Sequence, residues 1–407
     1  MVIMNLPRSE RYKLENVLVV GILPGPGEPK LTANTFLKPL VEELQILWKS
    51  KERFSVSGSI FKKRIQAGLI CVSCDIPASR KIGGFMGHMA NQGCSRCKKE
   101  FFKNGKLDFS GFERDCWPSR TSDEHKRNAK ESMNETTPTA QQNRCAINGA
   151  RFSVLHKLEC FDCIRYFVID PMHNLYLGTA KHLMKDVWLN EQSPVLRSAD
   201  FDKIQEIVDS MMTPQDIGRI PGKIANNFGG FTADQWQSWT VVYSLCCLQG
   251  VLPDNHLSCW TSFVTACKIL GKKTISVEDI ETGDDYLMKF LKQFVHLYGS
   301  EYVTPNMHLH GHLRECLIDF GPLHGFWCFS FERYNGILGA YPTNNRAIEI
   351  QLMRKFISQI KSKVFVFPDI YQDKFIEFFN HQKSKGSLKT TLDPIDSYLG
   401  LWRQKTI

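Results

Sequence analysis

Residues 67–74, AGLICVSC, followed directly by Asp75, are the stretch that decides the expected fold. The run is apolar throughout, which is typical of a strand buried on both faces of a parallel sheet. Residues 14–23, LENVLVVGIL, have the same character, and residues 34–48 between the two runs place apolar side chains at helical spacing. This order predicts a βαβ unit with parallel strands. Asp75 then lies at the carboxyl end of a strand, where open α/β sheets place their sites.

The rest of the chain is predicted to be mostly helical. Residues 100–147 are polar and aperiodic, so we expect an exposed loop or arm there. Residues 198–300 show helical periodicity without a strand signal, which predicts an all-helical insertion. The predicted helices are residues 170–188, with Asp170 as N-cap, then 201–212, 232–248, 256–270, 284–298, 304–319, 346–364 and a tail from 368.

Composition narrows the class of protein without identifying it. The formal net charge of +9 is compatible with a polyanionic partner. Residues 1–7 lack the features of a secretory signal and resemble the last residues of a strand. The 14 cysteines therefore favour a reducing compartment over a disulfide framework. No run approaches the roughly 18 apolar residues that a membrane span needs, so no membrane partner is expected.

Two cysteines and two histidines have the spacing of a metal site. Cys94-x2-Cys97 can form a knuckle that supplies two thiolates to one zinc ion. His308 and His312 are four residues apart on a predicted helix, so both imidazoles project from the same face, whereas His310 points elsewhere. The four side chains predict a closed, structural Zn²⁺ site that clamps distant parts of the chain together.

Other arrangements of these residue types stay open at this level. Buried thiols and hydrogen-bonded histidines would give the same pattern without a metal. Cys160 and Cys163 form a competing CxxC pair, while Cys71 and Cys74 would point to opposite faces of one strand. The helix is not a metalloprotease motif, because Leu309 stands where HExxH has its glutamate.

Two acidic residues are the best candidates for a catalytic metal site. Two-metal phosphoryl transfer needs carboxylates from separate elements that converge on Mg²⁺ or Mn²⁺. Asp75 ends a predicted strand, and Glu332 follows the histidine helix shortly afterwards. The alternative is structural: Asp75 would be a turn residue at a strand end, and Glu332 a solvated acid at a helix start.

Several long motifs between Asn5 and about Phe356 occur in a fixed order. They are PGPGEPK, CVSCDIPASRK, GCSRC, FVIDPMHNLYLGTAKHLMK, GFTADQWQSWT, TPNMHLHGHL and FSFERYNGILGAYPTNNRAIEIQLM. Together they resemble the CACTA (En/Spm-like) transposase domain, especially its fungal Plavaka-type branch. The order of Asp75, the two cysteines, the two histidines and Glu332 also resembles the catalytic subunit of the V(D)J recombinase.

The resemblance implies an α/β fold with an RNase H-like core, a large all-α insertion and a zinc clamp. Asp75 would be the second aspartate of a DDE triad and Glu332 its glutamate. The first aspartate would lie on a strand before residues 5–7, yet residues 1–74 contain no aspartate, which suggests N-terminal truncation. The implied segments are 1–100 (core with knuckle), 101–150 (arm), 151–300 (insertion), 301–365 (histidine helix and end of the core) and 366–407 (tail).

Further residues are weaker candidates for the site. Asp170 and His173 lie in a family landmark, but Asp170 also suits a helix N-cap and His173 a bond within the helix start. Trp236 and Trp239 could stack on a flipped base, although two tryptophans on an apolar helix are more often core. The candidates for phosphate contacts are Arg80, Lys81, Arg333 and Arg346.

The resulting hypothesis is a domain of a nuclear protein that cuts and rejoins transposon ends. Its partners would be DNA and, in a homo-oligomer, other copies of the chain. The rival hypothesis is a catalytically inactive, domesticated or truncated remnant that binds DNA or protein. A zinc hydrolase would need an open metal position and a neighbouring base, which the closed ligand set does not offer.

Overall fold

The computed structural model describes residues 1–25, 27, 33–49, 53–55, 60–192, 194–212, 224 and 228–364. This part of the chain is mainly helical, and none of its helices is long and apolar enough to cross a membrane. The predicted tail from residue 368 lies outside the described residues. The α-helices are Arg8–Arg11, Asn34–Lys49, Ile76–Gly83, Ser122–Met133, Pro138–Asn148, Ser198–Ser210, Ala233–Ser238, Ser244–Leu248, Asp254–Leu270, Val277–Tyr298, Pro305–His310, Leu313–Phe320, Phe329–Gly339 and Ile348–Val364.

Tighter and wider helical turns complete the helical part. Three segments are π-helical, and two of them lie in the helix that begins after Asp170. The π-helical segments are Met172–Ala180, Leu183–Trp188 and Trp239–Tyr243. The 3₁₀ segments are Leu14–Asn16, Arg114–Cys116, Val154–Lys157, Phe228–Gly230, Ser300–Tyr302 and Leu323–Gly325.

The described β-structure is confined to two short antiparallel hairpins and four isolated bridges. In one hairpin Arg53–Phe54 pairs with Lys63–Arg64, with Arg53 opposite Arg64. In the other Phe102–Lys103 pairs with Lys106–Leu107, with Phe102 opposite Leu107. The described residues therefore do not form the predicted βαβ unit.

The two predicted buried strands are wrong as continuous strands. Residues 14–23 begin with the 3₁₀ turn Leu14–Asn16 and make one antiparallel bridge, Val2 to Val17. Residues 67–74 make one parallel bridge, Val72 to Phe167. An apolar segment does not form a strand unless a neighbouring strand hydrogen-bonds to its backbone. Large side chains of both runs are also partly exposed to solvent, for example Val20 at 53%.

The prediction of an exposed loop over residues 100–147 is also wrong. Two short helices, Ser122–Met133 and Pro138–Asn148, lie in it. Thr121 caps the first by accepting a hydrogen bond from the Glu124 N–H. Such helices are specified by their caps and by a few buried side chains, so the hydrophobic periodicity that identifies longer helices is weak here.

The longer predicted helices are confirmed with small shifts at their ends. The predicted helix 34–48 is Asn34–Lys49, and 256–270 is Asp254–Leu270. The predicted helix 284–298 begins earlier, as Val277–Tyr298. Ser276 explains this start, because its hydroxyl accepts from Asp279 N while the Asp279 carboxylate accepts from Ser276 N.

The chain divides into two compact units, and residues 28–333 form the larger one. Its main core is built from the helical segments between Met172 and Phe320 and is rich in aromatic side chains. Trp236 and Trp239 are fully buried in this core, which confirms the structural alternative for both. A second core packs helix Asn34–Lys49 against the 3₁₀ segment Val154–Lys157.

The smaller unit joins residues 1–27 to residues 334–407. In its described part, Leu14 and Val17 pack with Tyr334 and Phe356. The Tyr334 hydroxyl donates to the Tyr12 carbonyl oxygen at 2.6 Å. Residues near the start of the chain and residues of the last described helices therefore share one small core.

A buried ion pair fixes helix Val277–Tyr298 within the larger unit. Arg114 donates to both carboxylate oxygens of Asp284, at 2.9 and 2.6 Å, and the Asp284 side chain is only 4% exposed. We expect Arg114→Ala to lower the free energy of unfolding by about 3 to 5 kcal/mol, because it leaves a buried charge unpaired. Arg314→Ala, which breaks the exposed pair with Glu281, should have a much smaller effect, because solvent screens that pair. Equal losses in urea unfolding of the two variants would contradict this assignment.

Candidate metal centre and acidic cluster

The structure brings Cys94, Cys97, His308 and His312 together in the larger unit. One donor atom from each side chain lies within 4.8 Å of the others. The Cys97 Sγ is 3.4 Å from the His308 Nε2. All four residues are buried, with exposed fractions of 5% or less. We call them the Cys2His2 cluster.

Residues 94–97 fold as a tight knuckle that presents both sulfurs to one point. The N–H groups of Arg96 and Cys97 point at the Cys94 sulfur, at 3.3 and 3.4 Å. Cys97 also makes an antiparallel bridge with Ser119, and Lys98 N donates to the Pro118 carbonyl oxygen. Backbone N–H groups aimed at a sulfur stabilise it as a thiolate, the form that binds metals.

The sequence predicted both histidines on one continuous helix, and this prediction is wrong. Helix Pro305–His310 ends at Gly311, and His312 precedes the next helix, Leu313–Phe320. A Cβ on Gly311 would come within 2.8 Å of the Trp117 ring, so the close approach of this ring requires glycine here. His310 points away from the cluster, as predicted, and its Nε2 lies 3.0 Å from the Thr179 hydroxyl.

An unpaired ring nitrogen indicates that the cluster fits a metal ion. The His312 Nε2 is buried and has no hydrogen-bond partner in the described residues. The His312 Nδ1 is bonded to the Glu315 carboxylate at 2.9 Å, which leaves Nε2 for a ligand. A buried nitrogen without a partner is costly, whereas a Zn²⁺ ion with two sulfurs and two ring nitrogens would satisfy the set.

The charges of the metal-free cluster are strongly coupled. Burial acts to raise the pKa of the Cys94 thiol, but the Cys97 hydrogen bond and the two histidines outweigh it and hold that pKa well below its usual range. Burial acts to lower the pKa of His312, but the Cys94 thiolate and Glu315 raise it to about 9. The cluster thus favours a thiolate at Cys94, which is the form a metal needs.

A network of side chains around the cluster fixes the orientation of His312. Glu315 accepts from the His312 Nδ1 and pairs with Arg96 at 3.6 Å. The Arg96 side chain is only 1% exposed and also donates to the Phe167 carbonyl oxygen at 3.1 Å. The knuckle is thereby tied to the residue that bridges Val72. Such outer partners set ring orientation and ligand basicity in metal sites.

We expect Glu315→Ala to weaken metal binding by about 10- to 100-fold, because His312 then loses the group that fixes its ring. The measurement is competition for Zn²⁺ with a chromogenic chelator. Glu131→Ala is the matched control, since Glu131 is an exposed helical glutamate. Equal metal affinity of the two variants would show that Glu315 does not position His312.

Asp170 is the centre of a second polar arrangement in the same unit. It is buried, with an exposed fraction of 3%. Its Oδ1 accepts from Cys328 N at 2.7 Å, and its Oδ2 accepts from His173 N at 3.0 Å and from His173 Nδ1 at 2.6 Å. Both oxygens are therefore used to join the start of one helix to the residue before helix Phe329–Gly339. Asp170 holds His173 in one orientation.

Asp75 and Glu332 lie near His173. Burial acts to lower the pKa of His173, but its hydrogen bond to Asp170 and the charges of Asp170, Asp75 and Glu332 together raise it. Asp75 is the N-cap of helix Ile76–Gly83, where its Oδ1 accepts from Ala78 N at 2.7 Å. Glu332 is exposed in the first turn of helix Phe329–Gly339. The charges of three carboxylates from three elements thus act on one imidazole, and Asp170 is the one hydrogen-bonded to it.

The capping role of Asp75 corrects one sequence-based expectation. The residue does not end a continuous strand, but it follows directly on the single bridge at Val72. The structural alternative accounts for one of its carboxylate oxygens. A capping carboxylate at a helix N-terminus can still bind a cation with its second oxygen, because each oxygen carries two lone pairs.

The basic candidates differ in their access to solvent. Arg80 is 3% exposed and lies over the Phe85 ring, so its proposed phosphate contact does not fit this structure. Lys81 is half-buried, whereas Arg333 and Arg346 are exposed. Burial explains the Arg80 result and also lowers its pKa to about 10. The sequence next to a motif does not predict whether a basic side chain is buried or exposed to solvent.

The sequence missed the residues that support the two centres. Arg96 lies inside the CSRC knuckle, and Glu315 lies one helical turn after His312. The second spacing is a usable signal, because a carboxylate three or four residues from a histidine on a helix reaches its ring. No comparable signal marked His125 and His156, which the structure brings close to Cys163. The Cys160–Cys163 pair does not join the Cys2His2 cluster.

Comparison with known proteins gives one match. The model of the Transposase family tnp2 matches residues 1–140. Over this stretch the chain is similar to a transposase family. The match includes Asp75 and both knuckle cysteines, whereas His308, His312 and Glu332 lie beyond it. None of the curated proteins compared with the chain matches it.

Proposed function

We propose that this chain is a transposase-derived DNA-processing domain of the CACTA type, with an RNase H-like core and a zinc clamp. The observation that supports the proposal is the match of residues 1–140 to a transposase family, together with the electrostatic effect of Asp75 and Glu332 on His173, which Asp170 holds by hydrogen bonds. Acidic residues that converge from separate elements are what metal-dependent phosphodiester cleavage requires. The domain would act on transposon ends in the nucleus.

Asp75 and Glu332 would be two of the three carboxylates that hold the divalent cations in an intact site of this kind. Mg²⁺ or Mn²⁺, when bound, supplies activation of the attacking oxygen and stabilisation of the leaving one. His173 is held by Asp170 through its Nδ1, so its Nε2 faces away from that bond. A raised pKa favours its charged form, which can bind a phosphate oxygen or give a proton to the leaving oxygen.

The Cys2His2 cluster would hold zinc as a structural tie. Its ligand set has no open position, so it supplies no reactive water. Its place in the chain gives it another role, because it joins the knuckle to the two helices that precede Glu332. Arg96 extends this tie to Phe167, three residues before Asp170. Zinc would therefore stabilise the arrangement of the carboxylates.

A catalytically inactive remnant that binds DNA or protein is the second candidate. A DDE site needs three carboxylates, and residues 1–74 contain no aspartate. Asp170 is the nearest further carboxylate to His173, but N–H groups occupy both of its oxygens. The described residues thus offer two carboxylates with free coordination sites at this place. Binding of DNA does not depend on the third.

Both candidate functions include DNA binding, which can be measured with the purified chain. Fluorescence anisotropy with labelled duplex DNA should show binding that weakens steeply as salt rises, because phosphate contacts release counterions. Arg333→Glu should reduce affinity and make the salt slope shallower by about 1. Glu131→Gln is the control, and it should leave the slope unchanged. Binding that is absent at low salt would reject the proposal.

A further inference from the structure

A second group of buried metal-ligand side chains lies apart from the Cys2His2 cluster. It consists of His125, His156 and Cys163, which we call the second cluster. One donor atom of each lies within 4.8 Å of the other two. His125 is 1% exposed and Cys163 is fully buried. The proposed cleavage chemistry does not use these three residues.

His125 is the residue that points to a ligand. Both of its ring nitrogens are buried and have no hydrogen-bond partner in the described residues. A neutral imidazole carries one donor and one acceptor, and burying both unpaired is costly. Its ring packs on Phe85 at 4.6 Å and on His156 at 5.3 Å, which places it among the other donors.

The other two members are placed by the backbone around them. Cys163 N donates to the Ser122 hydroxyl at 3.2 Å, and the Cys163 Sγ lies 3.4 Å from the same oxygen. The His156 Nδ1 accepts a long bond from Ser153 N at 3.4 Å, and its Nε2 lies 3.2 Å from the Gly83 carbonyl oxygen. A metal would replace the longer bond, while the Gly83 carbonyl would orient the ring from outside.

A buried arginine lies near the sulfurs of both clusters. Arg120 is 6% exposed, and its Nε and Nη2 have no hydrogen-bond partner in the described residues. Negative charge on Cys163, Cys94 or Cys97 acts to raise the pKa of this guanidinium against the effect of burial. Arg120 therefore lies within electrostatic reach of the sulfurs of both clusters. Metal-bound thiolates would neutralise it.

We propose that His125, His156 and Cys163 bind a second structural metal ion, zinc, independent of the Cys2His2 cluster. Two imidazoles and one thiolate are ligands that Zn²⁺ accepts. On binding, the Cys163 thiol gives its proton to solvent and the thiolate bonds the metal. The ion would join helix Ser122–Met133 to the 3₁₀ segment Val154–Lys157, which precedes the Val72–Phe167 bridge.

Metal content of the purified full chain tests the proposal. Mass spectrometry of metals should find two zinc ions per chain in the wild type, one in Cys97→Ser, one in His125→Phe and none in the double variant. Phenylalanine keeps the ring that packs on Phe85 and removes both nitrogens. Cys145→Ser, a buried cysteine outside both clusters, should keep two.

The outcomes separate this proposal from the first metal site. Two zinc ions per chain in His125→Phe would overturn the second site. A single zinc ion in the wild type that is lost in Cys97→Ser would also overturn it. One ion that survives Cys97→Ser and is lost in His125→Phe would support the second site and reject the Cys2His2 site. Metal content thus tests each cluster separately.

A spectroscopic variant covers the case in which His125→Phe does not fold. Cys94→Ser/Cys97→Ser leaves the second cluster intact, and Co²⁺ bound to it should show one thiolate charge-transfer band. Adding Cys163→Ser should abolish that band, since serine keeps the contact with Ser122 but offers no thiolate. A Co²⁺ spectrum without a thiolate band before Cys163 is changed would overturn the proposal.

Discussion

Cys97→Ser is expected to remove the metal from the Cys2His2 cluster and to lower the free energy of unfolding by more than about 4 kcal/mol. The cluster lies in the main core, where Trp117 and Phe101 pack on the His308 ring at 4.4 and 4.9 Å. Without the ion, two buried imidazoles and two sulfurs lose their common partner. The free energy of binding a structural zinc ion contributes to the free energy of folding, so loss of the ion lowers the stability of the protein.

Hydrogen exchange would locate this effect. Protection should fall in helix Pro305–His310 and in Val277–Tyr298, which packs on it. It should fall less in the smaller unit, whose core of Leu14 and Tyr334 contains no cluster residue. Cys246→Ser is the control, because that cysteine is exposed. Unchanged protection after zinc removal would count against a clamp.

Helix prediction from this sequence succeeded where one face is apolar over several turns. Helices Asp254–Leu270 and Val277–Tyr298 have such faces, and each buries its face against the other. The strand predictions at 14–23 and 67–74 are wrong because an apolar run indicates burial but does not indicate hydrogen bonding to another strand. Strand formation depends on a neighbour supplied by another part of the chain, and in the described residues Val72 has one such partner, Phe167.

The candidate site was predictable to the extent that spacing limits geometry. The cysteine pair at 94 and 97 can turn only as a knuckle, and two histidines four residues apart can reach one point. Asp75 and Glu332 were candidates from their positions in the sequence, and the family resemblance gave them roles in a triad. In the structure the charges of both raise the pKa of His173. Arg96 was out of reach, because its ties to Glu315 and Phe167 depend on contacts between residues far apart in the sequence.

Cleavage of DNA gives the most discriminating result for the acidic cluster. We expect the 407-residue chain to bind transposon-end DNA and to nick it no faster than background in Mn²⁺. Two carboxylates cannot hold two cations at the separation that in-line displacement needs. Loss of one member of a catalytic set commonly costs about 10⁴-fold or more in rate. The measurement is a time course of labelled duplex on a denaturing gel.

Variants of the three carboxylates decide what any activity means. Nicking that Glu332→Gln and Asp75→Asn abolish would overturn the inactive candidate and establish a working site. Asp170→Asn then asks whether Asp170 is the missing carboxylate. Asparagine can keep the bond from Cys328 N but cannot balance a charged His173. If Asp170 only positions His173, nicking should therefore be slower, while its dependence on Mn²⁺ concentration should stay that of the wild type. A metal ligand at Asp170 predicts instead that the Mn²⁺ concentration for half-maximal nicking rises by about 10-fold or more.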